Sequence, residues 1–373
     1  SGHARYLLEG KVPDIKLTAI ADIAEARLEW ARENLHTDIA RFPTGEALME
    51  SGLCDAVLIA TPHYDHPPLS IAAMKHNLHV MCEKPAGVYT RQVREMNVIA
   101  EKRNVLFGVM FCVRTNPVYR KMHDIVQSGD IGAIKRTNWI NTNWYRTQAY
   151  YDSGSWRATW DGEGGGVLLN QCPHNLDLWQ WICGMPNKVQ AFCHNGKWHD
   201  IEVEDDVTAY VEYPNGATGV FVACTADAPG TNRFEITLEW GKLVYEDDKL
   251  MQYKLAQNER DYCKSAPNGF GIPEMTVSEI AIEGEYTVHP GVMRAFAAAI
   301  LGKGQLIADG REGIRSLLIS NAMHLSSWLG RPVDLPFDED LFLEELNKRR
   351  ATSRLKESKT NKLPGEDIRS GMH

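Results

Sequence analysis

Two short segments bring ionisable and amide side chains together at spacings suited to moving a hydroxyl proton. The first is Cys82-Glu83-Lys84-Pro85-Ala86-Gly87, directly behind a short apolar run. Ligands of open α/β sheets bind beyond the carboxyl ends of the strands. A lysine placed there can hydrogen-bond a substrate hydroxyl and take part in its proton transfer, and Pro85 stiffens the turn that aims Lys84. The second segment opens with Gly162-Glu163-Gly164-Gly165-Gly166 and runs through Asn170, Pro173 and His174 to Asp177. On one helix Asn170, His174 and Asp177 share a face. His174, with an unperturbed pKa of ~6.5, can take a hydroxyl proton. Asn170 cannot accept a proton at neutral pH, but it can donate to and accept from a hydroxyl. Three consecutive glycines permit close approach of the backbone to a ligand or to other backbone. Taken singly, Lys84 reads as a surface lysine and His174 as a buried core histidine.

Asp22 adds a third element. It ends the β-branched run Ile15–Ala21, where an acid can accept both ribose hydroxyls of NAD and repel the 2′-phosphate of NADP. The Gly-x-Gly-x-x-Gly turn that goes with such an acid lies about 20 residues upstream. That places it, with the first strand, just before Ser1, outside the present sequence. Further along, Thr61 and Pro62 end another apolar run and His66 precedes the next helix.

The elements that must position these residues fall into two halves. Up to about Cys112, short apolar strands (Ile15–Ala21, Ala56–Ala60, His79–Cys82, Val105–Met110) alternate with helices (Ala4–Glu9, Ala24–Asn34, Pro67–His76, Thr90–Arg103). This is the pattern of βαβ units on a parallel sheet. A link near Cys112–Asn116 leads to a helix at Pro117–Gln127, a strand-like Ile134–Tyr145, and a helix at Val167–Cys183 that can start as late as Pro173. From Lys188 to Tyr253 strands follow one another, with turns at Pro214-Asn215-Gly216, Pro229-Gly230 and Trp240-Gly241, which predicts an antiparallel sheet. Helices at Val292–Leu301 and Gly310–Leu329 and a charged tail close the chain. The domain boundaries expected are therefore 1–112, 113–336 and a C-terminal helix and polar tail at 337–373, mobile from Lys356 onward.

The totals exclude other classes. A chain of 373 residues with a formal charge of −9 lacks the basic face that nucleic acid or an anionic membrane requires. No apolar run reaches the ~20 residues of a membrane helix, and no secretory segment opens the chain. The eight cysteines are scattered without a CxxC pair. That spacing points to reduced core thiols rather than disulfides or zinc, and so to the cytoplasm.

The strand-end acid, the Thr61-Pro62…His66 segment, the Glu83-Lys84-Pro85 tripeptide and the triple-glycine…His174 stretch together resemble the Gfo/Idh/MocA oxidoreductases. The resemblance runs from Ser1 to about Pro336. It implies a Rossmann domain followed by an open antiparallel sheet with helices on one face, and NAD-dependent redox chemistry on sugars, cyclitols or related compounds. Cofactor contacts carry over to Asp22, Thr61, Pro62, His66 and Glu83, with Lys84 and Arg114 beside them, and the catalytic pair to Lys84 and His174. Trp156 and Arg157 match a pair near the substrate in relatives, and Tyr145, Asn170 and Asp177 complete the expected substrate side. Asn170 stands where many relatives carry aspartate. The same machinery admits a second activity, in which transient oxidation of a glycoside leads to loss of its aglycone. The aromatic run Trp139, Trp144, Tyr145, Tyr150, Tyr151, Trp156 and Trp160 could stack on such a substrate. A third reading is a sugar-sensing regulator without catalysis, which the presence of both Lys84 and His174 opposes. A homodimer or homotetramer formed through the second sheet is expected.

Overall fold

A computed structural model describes residues 2–35, 38–354 and 356. The expected mobile tail falls, apart from Lys356, outside the described residues. The chain divides into two compact units: Ser1–Asn116 with Glu285–Ile314, and Pro117–Gly284 with Arg315–His373. The segment Glu285–Ile314, assigned by the sequence reading to the second domain, thus belongs to the first.

The first unit opens with α1 (Gly2–Leu8), β1 (Ala19–Ala21), α2 (Glu25–Asn34), β2 (Ala40–Phe42) and α3 (Gly45–Glu50). It continues with β3 (Ala56–Ile59), α4 (His66–Lys75), β4 (His79–Cys82), α5 (Thr90–Lys102) and β5 (Phe107–Val109). The named strands pair in parallel, β1 with β2, β3 with β4 and β4 with β5, while Gly108 makes an isolated antiparallel bridge to Asp309. The strands form two separate sheets among the described residues. The middle strand β4 is nearly all buried, as is β5, which accounts for their unbroken apolar runs. The helix α4 starts where Pro67 and Pro68 supply a first turn without N–H groups, and it packs on β3, β4 and α5.

In the second unit follow α6 (Pro117–Ser128), β6 (Ile134–Asn141), α7 (Gln148–Asp152), α8 (Pro173–Cys183), β7 (Lys188–Asn195), β8 (Glu204–Glu212) and β9 (Thr218–Cys224). After them come β10 (Asn232–Leu238), β11 (Gly241–Glu246), β12 (Lys249–Leu255), α9 (Glu259–Ser265) and β13 (Met275–Glu279). The helix α10 (Val288–Ile300) returns to the first unit, and α11 (Gly313–Leu329), β14 (Val333–Asp334) and α12 (Glu339–Arg350) end the described chain. Nine strands form one sheet in the order β13-β12-β11-β10-β6-β9-β8-β7-β14. It is mixed rather than purely antiparallel, because β6 and β9 run parallel.

Side chains on β6, β8, β9 and β10 alternate between buried and open positions, the mark of a sheet covered on one face. On the covered face Trp139 stacks on Phe234 at 4.2 Å and Trp179 of α8 stacks on Phe221 at 5.4 Å. The Trp179 indole N–H donates to Thr137 Oγ1 at 3.0 Å. Such aromatic pairs add ~0.5–1.5 kcal/mol beyond area burial, and this packing seats α8 on the sheet.

Candidate active site

In the first unit the chemistry gathers where β3 and β4 end. The Glu83 N–H donates to the Ile59 carbonyl at 2.9 Å, extending the strand pairing by one residue. The chain then turns through a cis Lys84–Pro85 bond, and the Lys84 N–H donates to Glu83 Oε2 at 3.0 Å. The other carboxylate oxygen of Glu83 lies 2.7 Å from His3 Nε2 on α1. Burial pushes the Glu83 carboxyl up, but the His3 hydrogen bond and the charges of His3, His289 and Lys84 outweigh it and hold it below the usual carboxylate range.

His66 is buried at the first position of α4. Its Nδ1 lies 2.7 Å from the Pro85 carbonyl and its Nε2 2.9 Å from the Thr61 carbonyl. Both of its ring nitrogens are therefore engaged in tying the Thr61-Pro62 turn to the Lys84-Pro85 turn, and this linkage brings five of the residues singled out in the sequence together. Burial lowers the His66 pKa more than the two carbonyls and Glu83 raise it, and Lys84 lowers it further. Asp22, at the end of β1, caps the Ala24 N–H at 2.9 Å beside Ile23, which is 89% exposed. A carboxylate and an open apolar side chain at the end of a parallel strand fit a ribose and its attached base. Arg114, by contrast, is buried and pairs with Glu312 at 2.8 Å.

His289 belongs to the same unit and carries no sequence signal of its own. Its Nε2 lies 3.7 Å from Cys112 Sγ, and its ring stands edge-on to His3 at 5.2 Å. Burial lowers its pKa; Glu83 opposes this, while His3 and Lys84 add to it. The preceding Val288 has φ +46°, a strained position for a β-branched residue. No local pattern could have revealed this residue, since Cys112 lies 177 positions away.

In the second unit the triple glycine leads into α8. The Gly166 and Leu168 N–H groups donate to Glu204 Oε1 at 2.9 and 3.0 Å, and the Val167 N–H donates to the Glu204 carbonyl. A Cβ on Gly166 would stand 2.0 Å from that carbonyl oxygen, and one on Gly165 3.0 Å from the His324 ring. These two glycines thus serve close backbone approach to the protein's own chain. The buried His324 Nε2 lies 3.0 Å from Glu204 Oε2.

The helix α8 begins at Pro173 with Cys172 as its N-cap, so Asn170 precedes it and does not share a helix face with His174 and Asp177. Instead, the Asn170 N–H closes a single turn on the Gly166 carbonyl at 2.9 Å. His174 and Asp177 are both buried on α8, and Asp177 Oδ1 accepts from Gln180 Nε2 at 3.1 Å.

Around Asn170 lies a network that the sequence did not announce. The buried Glu163 carboxylate accepts from Asn170 Nδ2 through one oxygen and from the Ala158 N–H through the other. The Tyr150 hydroxyl donates to Asn170 Oδ1 at 3.3 Å and accepts from Arg157 Nη1 at 2.7 Å. The Arg157 guanidinium sits over Tyr150 at 4.4 Å and Trp156 at 4.7 Å, and 3.7 Å from Glu163 Oε1. Burial raises the Tyr150 pKa, Arg157 and Arg146 oppose this and Glu163 adds to it, so the phenol stays protonated at neutral pH. Tyr145 is half exposed, its carbonyl accepting from Arg146 Nη1 at 2.8 Å. Trp144 donates to Asn175 on α8 at 3.3 Å. Among the other aromatics of that run, Trp139, Tyr151 and Trp160 are core.

Family models account for most of both units. Residues 2–111 match an oxidoreductase family with an NAD-binding Rossmann fold, and residues 119–244 match the GFO/IDH/MocA C-terminal domain. A 1,5-anhydro-D-fructose reductase of Ensifer adhaerens is 25% identical over 84% of this chain and 88% of its own. A myo-inositol 2-dehydrogenase of Thermotoga maritima is 27% identical over 56% of this chain and 61% of its own. Among solved structures, the WlbA dehydrogenase of Chromobacterium violaceum, in complex with NADH and UDP-GlcNAcA, matches with a TM-score of 0.76. It is 28% identical, over 90% of this chain and 93% of that one.

Proposed function

Because the chain belongs to the Gfo/Idh/MocA oxidoreductase family, we propose that it moves hydride between NAD and a hydroxyl-bearing carbon of a sugar, cyclitol or glycoside. The observation that carries this reading is the Lys84 turn: a lysine at the carboxyl end of a buried parallel strand, held by its own Glu83 carboxylate and by His66 through the Pro85 carbonyl. The reductase and dehydrogenase relatives support the same class.

Asp22, Thr61, Pro62 and Glu83 would hold the dinucleotide, with His66 keeping two of their turns in place. The nicotinamide, when bound, supplies the hydride acceptor or donor. The chain's own work is to manage the hydroxyl proton, which must leave the oxygen as hydride leaves its carbon. His174 takes that proton, and Lys84 donates a hydrogen bond that stabilises the developing alkoxide. Asn170 orients the hydroxyl, with Trp156, Arg157 and Tyr145 as further substrate contacts. Asp177, bonded to Gln180, packs the helix that carries His174. The scattered cysteine spacing is that of a reducing compartment such as the cytoplasm. No helix among the described residues is long and apolar enough to cross a membrane.

The test is to incubate the full-length protein with NAD and a panel of sugars, cyclitols and glycosides while following NADH. Turnover on at least one polyol is expected, and folded protein inert on the whole panel would sink the proposal. NAD should also give a higher kcat/KM than NADP, because Asp22 would face a 2′-phosphate. A clear NADP preference would remove Asp22 from this role.

A further inference from the structure

We infer that Glu163 is the positioning residue of the substrate side, setting the Asn170 amide and the turn that carries Trp156 and Arg157. The inference rests on the sugar-oxidoreductase reading above and names residues that reading does not use. A carboxylate accepts hydrogen bonds and donates none. By taking Asn170 Nδ2 on one oxygen, Glu163 permits only one of the two flips of that amide, with the Asn170 carbonyl turned to the Tyr150 hydroxyl. Its second oxygen takes the N–H of Ala158, a fully buried residue at φ +55°. A non-glycine residue in that region persists only where its surroundings hold it. The same carboxylate therefore anchors the backbone immediately after Trp156 and Arg157, and stands 3.7 Å from the Arg157 guanidinium.

Two further side chains meet the same phenol. Gln171 is buried, its Nε2 makes a long contact of 3.4 Å to the Tyr150 oxygen, and its Oε1 has no partner among the described residues. Arg157 Nε, on the other side chain bonded to that phenol, is likewise buried without a partner.

Glu163→Gln tests the idea, since glutamine keeps the shape but sets a donor against either the Asn170 amide or the Ala158 N–H. We expect KM for the polyol to rise about 10–100-fold, the value of a charge-assisted hydrogen bond or two, with NADH binding by fluorescence unchanged. Combining Glu163→Gln with Asn170→Asp restores an amide–carboxylate pair of reversed polarity and should recover part of that loss. Tyr150→Phe removes the hub without touching the buried carboxylate and should raise KM in the same direction, which serves if Glu163→Gln fails to fold. Hydrogen exchange read by mass spectrometry needs no substrate: Glu163→Gln should speed exchange across residues 155–171 and leave the first unit as it was. Unchanged KM in folded Glu163→Gln and Tyr150→Phe would overturn the inference, as would unchanged local exchange, or a loss of NADH binding in parallel with activity. Wild-type protein inert on every polyol would instead overturn the sugar reading, and the exchange experiment would still decide whether Glu163 positions its neighbours.

Discussion

On the proposed reading, His174 takes the hydroxyl proton and Lys84 serves as a hydrogen-bond donor. They lie in different units, so each can be removed without disturbing the local structure that holds the other. Loss of a positioned acid or base typically costs ~10²–10⁴-fold in rate. His174→Ala and Lys84→Ala should each lower kcat by about that factor while NADH still binds. Asn170→Ala should act mainly on KM, through the ~1–3 kcal/mol of a buried hydrogen bond left unmade. Steady-state kinetics with a turned-over polyol separates these cases. If His174→Ala retains near-full kcat, His174 is not the acceptor and Lys84 manages the proton alone.

At the scale of elements, the site depends on turns locked by buried charge and close backbone contact. Gly166 is the sharpest case, because any Cβ there meets the Glu204 carbonyl at 2.0 Å. Gly166→Ala should destabilise the fold by ~1–3 kcal/mol or more, as overpacking does, and displace the turn that carries Asn170. A wild-type melting temperature together with wild-type KM would show that this turn gives way freely. His66 locks the other pair of turns, and its folded-state pKa is lowered, burial being the largest cause. The unfolded chain then binds the proton more readily than the native one. The resulting stability is full above the unfolded pKa of ~6.5 and is lost as pH falls through and below it. His79 and His289, lowered in the same direction, act in the same window. Melting temperature should therefore drop between about pH 7 and pH 5, and His66→Gln should flatten part of that slope. An identical slope in the variant would mean that His66 does not contribute.

For the molecule as a whole, the nine-stranded sheet leaves one face open. Cross-strand pairing sets Phe192 beside Thr208, Val222 and Ile140 in one row, and Tyr210 beside Val220 in the next. Phe192 is 60% exposed, and Tyr210 and Ile140 about 40%. An apolar patch running across several strands marks an interface on a soluble protein, and a second copy of the chain would cover it. A homodimer or homotetramer is expected by light scattering at micromolar concentration. Phe192→Glu with Tyr210→Glu should shift it toward monomer. A monomeric wild type would refute this assembly.

The amino-acid sequence alone determined the alternation of strands and helices and the Lys84 turn behind β4. Each of these is written in neighbouring residues: an apolar run of strand length, a proline at a first turn, a glycine at a bend. Short elements without periodicity, such as β2, α3 and β13, left no such mark. Nor could the sequence separate Trp139, Tyr151 and Trp160, which are core, from the half-exposed Tyr145, since all stand in one aromatic run. The tertiary structure alone decided that Asn170 lies before α8, that Glu163 sets its amide, and that Glu204, 38 residues from Gly166, explains the glycines. It likewise returned His289 to the unit that holds Glu83. The physical reason is range: backbone propensity and turn chemistry act over a few residues. The partner of a buried carboxylate is chosen by which distant segments pack together, where an unpaired charge costs too much to leave.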